Sequence, residues 1–310
     1  MPCYHPIDAF QTADGSVIFS EHKGDVIRPL QLPCGQCVGC RLERSRQWAV
    51  RCMHEASLWP ASCFVTLTYD NEHLPADGSL HYEHVQLFMK RLRKRLRGVG
   101  PAPDQLPSKP FPIRFYMCGE YGEKFGRPHY HLCLFNCCFD DRVPWRKTPS
   151  GSVLYRSAIL EGLWPFGFSS IGELNFESAA YVARYCMKKI TGHRADEHYR
   201  RVDPDTGEVF QLTPEFNKMS LKPGIGALWL DRFTSDVYPS DEVIVRGKSC
   251  KPPRYYDKRF SSQHPEIFDD ISWQRVLDSI PSREHSTVER LAVREAVTKS
   301  RLSLSSRGLE

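Results

Sequence analysis

The sequence predicts an α+β fold with a Cys-rich N-terminal segment ahead of it. CFVTLTYD, IRFYMCGE and HYHLCLF read as strands, while segments 83–98 and 175–192 carry the 3.6-residue apolar period of helices. A turn rich in Gly and charge, YGEKFGRP, joins the second strand to the third as an expected β-hairpin.

At 310 residues the chain has room for one large domain or two. Its changes of pattern mark a Cys-rich segment at 1–58, a core at 59–195, and a C-terminal region at 196–310 with a basic-aromatic stretch and a polar tail. No apolar run approaches membrane-spanning length, and no signal-peptide pattern opens the chain. Twelve cysteines without a secretory signal read as thiols or metal ligands rather than a disulfide framework. A net charge of +5 permits nucleic-acid binding without demanding it, so the clustering of charge carries more weight.

Cys34, Cys37 and Cys40 form a Cys-x-x-Cys-x-x-Cys run that Cys3, His5 or Cys52 can complete as a tetrahedral zinc site. Reduced thiols around a tight turn are the other reading. An iron–sulfur cluster fits less completely, because the fourth ligand and the following proline are missing. Residues 41–58 have helical spacing, and Arg41, Arg44, Arg46 and Arg51 suit either phosphates or a solvated face. In CFVTLTYD, Cys63, Val65, Leu67 and Tyr69 share one strand face, and Phe64, Thr66 and Thr68 share the other. After a loop at 75–78, segment 83–98 shows an apolar stripe of Val85, Phe88, Leu92 and Leu96. Lys90, Arg91, Arg93, Lys94, Arg95 and Arg97 surround it in the densest basic run of the chain. Such a helix packs its stripe on a sheet and turns its cations to water or DNA phosphates; a membrane surface is the alternative setting.

In HYHLCLF, alternation places His129, His131, Cys133 and Phe135 on one face and Tyr130, Leu132 and Leu134 on the other. Two imidazoles on one strand face can share a divalent ion, and the hairpin brings Glu120 level with them. A lone His-x-His is more often a hydrogen-bonded pair of histidines. The following helix strengthens the metal reading. Asn175 suits its N-cap, Glu177 its first turn and Gly192 its stop. Ala179, Ala183, Met187 and Ile190 form its apolar stripe, which sets Tyr181, Arg184, Tyr185 and Lys188 opposite. Two phenols one turn apart beside two cations suit a site, although tyrosines also cap the edge of a core. Segment 137–152 reads as a variable loop, and 160–171 as the lead into a strand. Beyond Gly192 the pattern weakens: a small hairpin around Asp205-Thr206-Gly207, a short helix or turn at 231–238, and VRGKSCKPPRYYDKRF, whose cations and aromatics suit either stacking on single-stranded bases or covering the core. Residues 288–302 read as a marginal helix before a frayed Ser-rich end.

Three ordered motifs, Phe64 to Asp70, Gly126 to His131, and Tyr181 to Tyr185 with Lys188, resemble the HUH endonucleases, named for His-hydrophobic-His. Within them the chain is similar to the replication initiators of the small single-stranded DNA phages, the Microviridae, of gokushovirus type; PCGQCVGCRLERSRQWAVRC adds to that likeness. The resemblance covers about residues 30–195 well and the last third loosely. It implies an HUH/Rep-type nuclease core, an antiparallel sheet with the His pair on a central strand and helices on its faces. It further implies Tyr181 and Tyr185 as nucleophiles assisted by Lys188, metal ligands Glu120, His129 and His131 for Mg²⁺ or Mn²⁺, and DNA contacts from Arg127 and Arg184. Arg184 stands where related sequences often carry Lys. The implied activity is metal-dependent nicking and joining of single-strand DNA at the viral origin, through a 5′-phosphotyrosine and a free 3′-hydroxyl, for rolling-circle replication in the cytoplasm of a bacterial host with host replication proteins as partners. A different class of reading is a non-catalytic DNA-binding protein with a structural zinc module.

Overall fold

The computed structural model of the protein describes residues 3–96, 112–185, 194–202 and 206–304. They form two compact units, one built from 3–44 with 263–304 and the other from 45–262. The described residues are α+β with antiparallel sheets, as the sequence predicts, and no helix among them is long and apolar enough to cross a membrane.

In the first unit, strand β1 (Ile7–Thr12) pairs with β2 (Val17–Ile18) on one side and β3 (Val26–Leu32) on the other. Helix α1 (Val38–Ala56) starts within the Cys run, with Cys40 in its first turn, and extends into the second unit. The second unit continues with β4 (Ser62–Tyr69), α2 (Tyr82–Arg95), β5 (Arg114–Tyr121), β6 (Pro128–Phe135), β7 (Val143–Lys147), β8 (Val153–Arg156), α3 (Ala158–Leu163), β9 (Gly167–Glu173) and α4 (Phe176–Tyr185). Shorter elements follow: α5 (Arg194–His198), β10 (Arg200–Val202), β11 (Val209–Gln211), β12 (Phe216–Met219), α6 (Ala227–Arg232), α7 (Thr234–Val237), β13 (Val243–Val245), β14 (Lys248–Cys250) and α8 (Arg254–Gln263). Helices α9 (Pro265–Ser279) and α10 (Val288–Leu304) return to the first unit.

A seven-stranded sheet of order β12-β5-β6-β4-β9-β8-β7, antiparallel throughout, organises the second unit. Its middle strands are buried on both faces, so their alternation separates two cores. One face contributes Val65, Leu67, Met117, Tyr130, Leu132 and Leu134, against which α2 and α3 pack Val85, Phe88, Leu92 and Leu160. The other contributes Phe64, Tyr116, Cys118, Cys133 and Phe135, against which α1 and α4 pack Ala49, Cys52, Ala179 and Val182. The His pair therefore shares its face with α1 and α4, and the basic helix α2 lies on the opposite face.

Several of the cations and aromatics whose role the sequence left open make contacts within the chain. Arg91 and Arg93 donate to the carbonyls of Leu163 and Ile113. Arg46 reaches Cys250 and the Lys251 carbonyl, and Arg51 lies between the rings of Trp48 and Tyr255. Tyr256 and Phe260 are buried and cover the core, while Tyr255 is half-buried. Segment 137–152, expected to be a loop, contains β7. Its residues are exposed along an edge and carry no two-residue pattern of burial for the sequence to display. Arg97, Met187, Lys188, Ile190 and Gly192 lie outside the described residues.

Candidate active site

The site is set by strand register. Pairing of β5 with β6 places Glu120 opposite His129 and Cys118 opposite His131; pairing of β4 with β6 places Thr68 and Thr66 on the other side of the same histidines. Because all these residues fall on one side of the pleat, their side chains converge. Glu120, His129 and His131 each offer a ligand atom within 4.8 Å of the others. The expectation that the hairpin levels Glu120 with the His pair is met.

The hydrogen bonds around the trio fix its chemistry. His129 Nδ1 lies 3.1 Å from the Arg127 carbonyl. A carbonyl only accepts, so Nδ1 carries a hydrogen and the lone pair of a neutral ring falls on Nε2. That Nε2 stands 2.9 Å from Glu120 Oε1, an acceptor too, and His131 Nε2 stands 2.7 Å from the same oxygen. Two acceptors do not sit this close unless a proton or a cation lies between them. Glu120 Oε2 is buried without a hydrogen-bond partner among the described residues. Burial alone would raise the Glu120 pKa; hydrogen bonds and charge from His129 and His131 outweigh it and hold the carboxyl below its ordinary range. Thr66 Oγ1 meets His131 Nδ1 at 2.9 Å and orients that ring. A buried carboxylate with a free lone pair and two oriented imidazoles fits a divalent ion with mixed nitrogen and oxygen preference.

Helix α4 brings a phenol to this set. Asn175 caps it as expected: its Oδ1 accepts from the Ser178 N–H at 2.9 Å, and Ser178 Oγ accepts in return from the Asn175 N–H. Glu177 in the first turn pairs with Arg246. The Tyr181 ring stands edge-on to His131, 5.1 Å between centroids, and also meets Phe64 edge-on. The helical stripe set Tyr181 opposite the core, whereas it is buried with Ala179, Val182 and Ala183. The reason is that the more open side of α4, among the described side chains, runs through Glu177, Ala180 and Arg184, so Tyr181 falls beside it and turns onto Phe64 and His131; Ser45 and Asn217 donate to the Ala180 and Val182 carbonyls. Arg184 is half-buried at the last turn. The chain of Tyr185 continues the helix one turn beyond Tyr181, and Lys188 lies outside the described residues.

Two clefts open on the His face. One, about 290 Å³, is lined by Thr66, His129, His131, Ser170 and Ser178, among others. The other, about 620 Å³, is lined by Asp70, Asn71, Arg127, His129 and the exposed ring of Phe168. Arg127 is placed at its rim by donation to Asn71 Oδ1 and to the carbonyls of Tyr69 and Asp70. Sequence reading assigned no role to Thr66, Asn217 or Phe168. Thr66 had a signal, since alternation already set it on the His side of its strand. Asn217 had none, because only tertiary folding brings β12 beside α4.

Elsewhere, Cys3, Cys34, Cys37 and Cys40 form a second group able to hold a metal ion. Of the alternatives for the fourth position, Cys3 joins the group, His5 pairs with Glu295, and Cys52 is buried in the core beneath α1.

The stretch from β4 through α4 matches the family described as Replication-associated protein ORF2/G2P, over residues 62–190. The chain is similar to Replication-associated protein VP4 of Bdellovibrio phage phiMH2K, 33% identical over 270 residues that cover 86% of this chain and 79% of that protein. It is also similar to Replication-associated protein ORF2 of Spiroplasma virus 4, 30% identical over 321 residues that cover 97% and 91%. Replication-associated protein ORF4 of Chlamydia phage 1 is 36% identical over 232 residues, 73% of this chain and 52% of that protein. No solved structure matches the chain. The chain belongs to the replication-associated proteins of gokushovirus-type Microviridae.

Proposed function

We propose that this replication-associated protein is a replication initiator that nicks the viral origin with a tyrosine and later rejoins the displaced strand. The observation that carries the reading is the Tyr181 ring standing 5.1 Å from that of His131, beside the Glu120–His129–His131 set. Those three residues would hold Mg²⁺ or Mn²⁺, which when bound supplies Lewis-acid polarisation of a phosphate oxygen. The chain's own part is nucleophilic. The Tyr181 oxygen bonds to phosphorus as the P–O3′ bond breaks; the phenol gives up its proton, and the freed 3′ oxygen takes one up as a primer hydroxyl. The ester bond to the 5′ phosphate keeps the energy needed for rejoining. Tyr185, one turn on, is the second nucleophile, so that one tyrosine holds an end while the other cuts. Lys188 assists the phenolate, and Arg184 and Arg127 contact the strand. The partners are single-stranded and origin DNA with host replication proteins, in the bacterial cytoplasm.

The test is nicking of the supercoiled replicative form with Mg²⁺ or Mn²⁺, read on a denaturing gel. Wild type should form a protein–DNA adduct that disappears in Tyr181→Phe/Tyr185→Phe and in His129→Ala/His131→Ala. A double-Phe protein that nicks like wild type would sink the tyrosine assignment. Nicking that survives loss of both histidines would sink the metal assignment.

A further inference from the structure

We propose that Cys3, Cys34, Cys37 and Cys40 bind one structural Zn²⁺ that fastens the N-terminal segment to the C-terminal helix α10. Four observations within the first unit carry this inference, and it stands apart from the nicking reading.

The first is convergence. The four sulfurs lie within 4.8 Å of one another, although Cys3 is distant in sequence from the other three. A Zn–S bond of about 2.3 Å in a tetrahedron separates its sulfurs by about 3.8 Å, so a zinc ion fits by modest contraction. The second is polarity. Backbone N–H groups point at three of the sulfurs: Cys34 N–H at Cys3 Sγ (3.3 Å), Cys37 N–H at Cys34 Sγ (3.3 Å), and both Tyr4 N–H (3.4 Å) and Cys40 N–H (3.5 Å) at Cys37 Sγ. A thiol accepts weakly, whereas a thiolate accepts well, and a metal keeps sulfur as thiolate.

The third is the poverty of the surrounding core. The buried apolar residues of this unit, among those described, are Cys3, Tyr4, Ala9, Cys37, Ile271 and Leu291. Such a small core needs a staple, and metal ligation is a usual one. The fourth is what the cluster adjoins. Leu291 of α10 packs against Cys3, Tyr4 and Cys37. Tyr4 Oη and Thr298 Oγ1 are 2.7 Å apart, and His5 Nε2 meets Glu295 Oε2 at 2.7 Å. Ligation of Cys3 thus fixes the residues that clamp α10.

The test uses the full chain, purified under reducing conditions and dialysed without chelator. Elemental analysis should give one zinc per chain in wild type and in His129→Ala/His131→Ala, and none in Cys34→Ser/Cys37→Ser. Exchange into Co²⁺ should give the intense visible absorption of tetrahedral tetrathiolate cobalt, a readout that needs no folded Cys variant. Chelation of wild type should open residues 3–44 and 263–304 to protease while 45–262 resists. Zinc absent from wild type, zinc lost in the His variant but kept in the Cys variant, an iron–sulfur cluster in its place, or a chelated protein with unchanged proteolysis would each overturn the proposal.

Discussion

Replacing Glu55 by Gln tests how far one buried ion pair holds the second unit together. Glu55 sits near the end of α1, wholly buried, and its Oε1 accepts from Arg114 Nε at 2.6 Å; the Arg114 side chain is 4% exposed. The same Oε1 accepts from Trp59 Nε1 at 3.2 Å, and Oε2 accepts from the Gly226 N–H at 2.8 Å. Arg114 also donates to the Pro223 carbonyl. One carboxylate therefore ties α1, the first residue of β5 and the loop before α6. Glutamine keeps the shape but removes the charge and turns an NH₂ toward a donor, leaving a buried guanidinium without its counter-charge. Breaking a buried pair in this way costs about 3–5 kcal/mol, against a total stability of about 5–15 kcal/mol for a native protein. The assay is urea unfolding followed by tryptophan fluorescence; Trp273 apart, every tryptophan lies in this unit. The double variant Glu55→Leu/Arg114→Met should recover part of the loss, because no charge stays buried, but not all of it, since the Gly226 N–H and the Pro223 carbonyl lose partners at about 1–3 kcal/mol each. A loss below about 1 kcal/mol in Glu55→Gln, or a double variant as unstable as the sum of its singles, would refute the reasoning.

The remaining expectations concern single positions. His54 stacks on Trp229 at 3.5 Å between centroids, and desolvation brings its pKa down to about 4 from an ordinary 6.5. Between those values the unfolded chain binds a proton that the folded chain does not. Stability is therefore full above the higher value and falls as pH drops toward the lower, by up to about 3 kcal/mol; His54→Gln should flatten that part of a pH–stability curve. Gly167 has φ +147°, and a Cβ there would meet backbone atoms of Asp70 and Tyr69 at 2.2 and 2.6 Å. Gly167→Ala should cost about 2–5 kcal/mol in strain and overlap, read by thermal melting, and a Tm close to wild type would contradict this. Thr66→Val removes the partner that orients His131; Mn²⁺ affinity by calorimetry should weaken about 10–100-fold, and unchanged affinity would show that the ring needs no such support.

Much of the site was legible because strands have a short, rigid period. Once HYHLCLF is a strand, His129 and His131 must share a face, and a hairpin to IRFYMCGE then levels Glu120 with them. Helix α4 was legible as an element, through Asn175 and its apolar spacing, but not in its orientation. Among the described side chains the more open side of α4 runs through Glu177, Ala180 and Arg184, so Tyr181 falls beside it against Phe64 and His131, and a stripe drawn through Ala179 and Ala183 misplaced it. The edge strands were least legible. β12 gains its place by pairing Phe216–Met219 with Tyr116–Gly119 across nearly a hundred residues of chain, and no local pattern encodes that partner. The same long range explains the fourth cysteine: Cys3, His5 and Cys52 were equal on spacing, and only the fold separates them.

The two margins of the large sheet also differ in what they invite. On one side β12 continues the hydrogen bonding of β5, and on the other β7 ends the sheet with every residue exposed. That outer margin carries Pro144, which offers no N–H, a slipped register between Pro144 and Arg146, and the neighbouring charges of Arg146 and Lys147. Each feature makes the strand a poor template for a foreign chain. A wide sheet that could otherwise go on adding strands thus has its β7 margin guarded against runaway self-association.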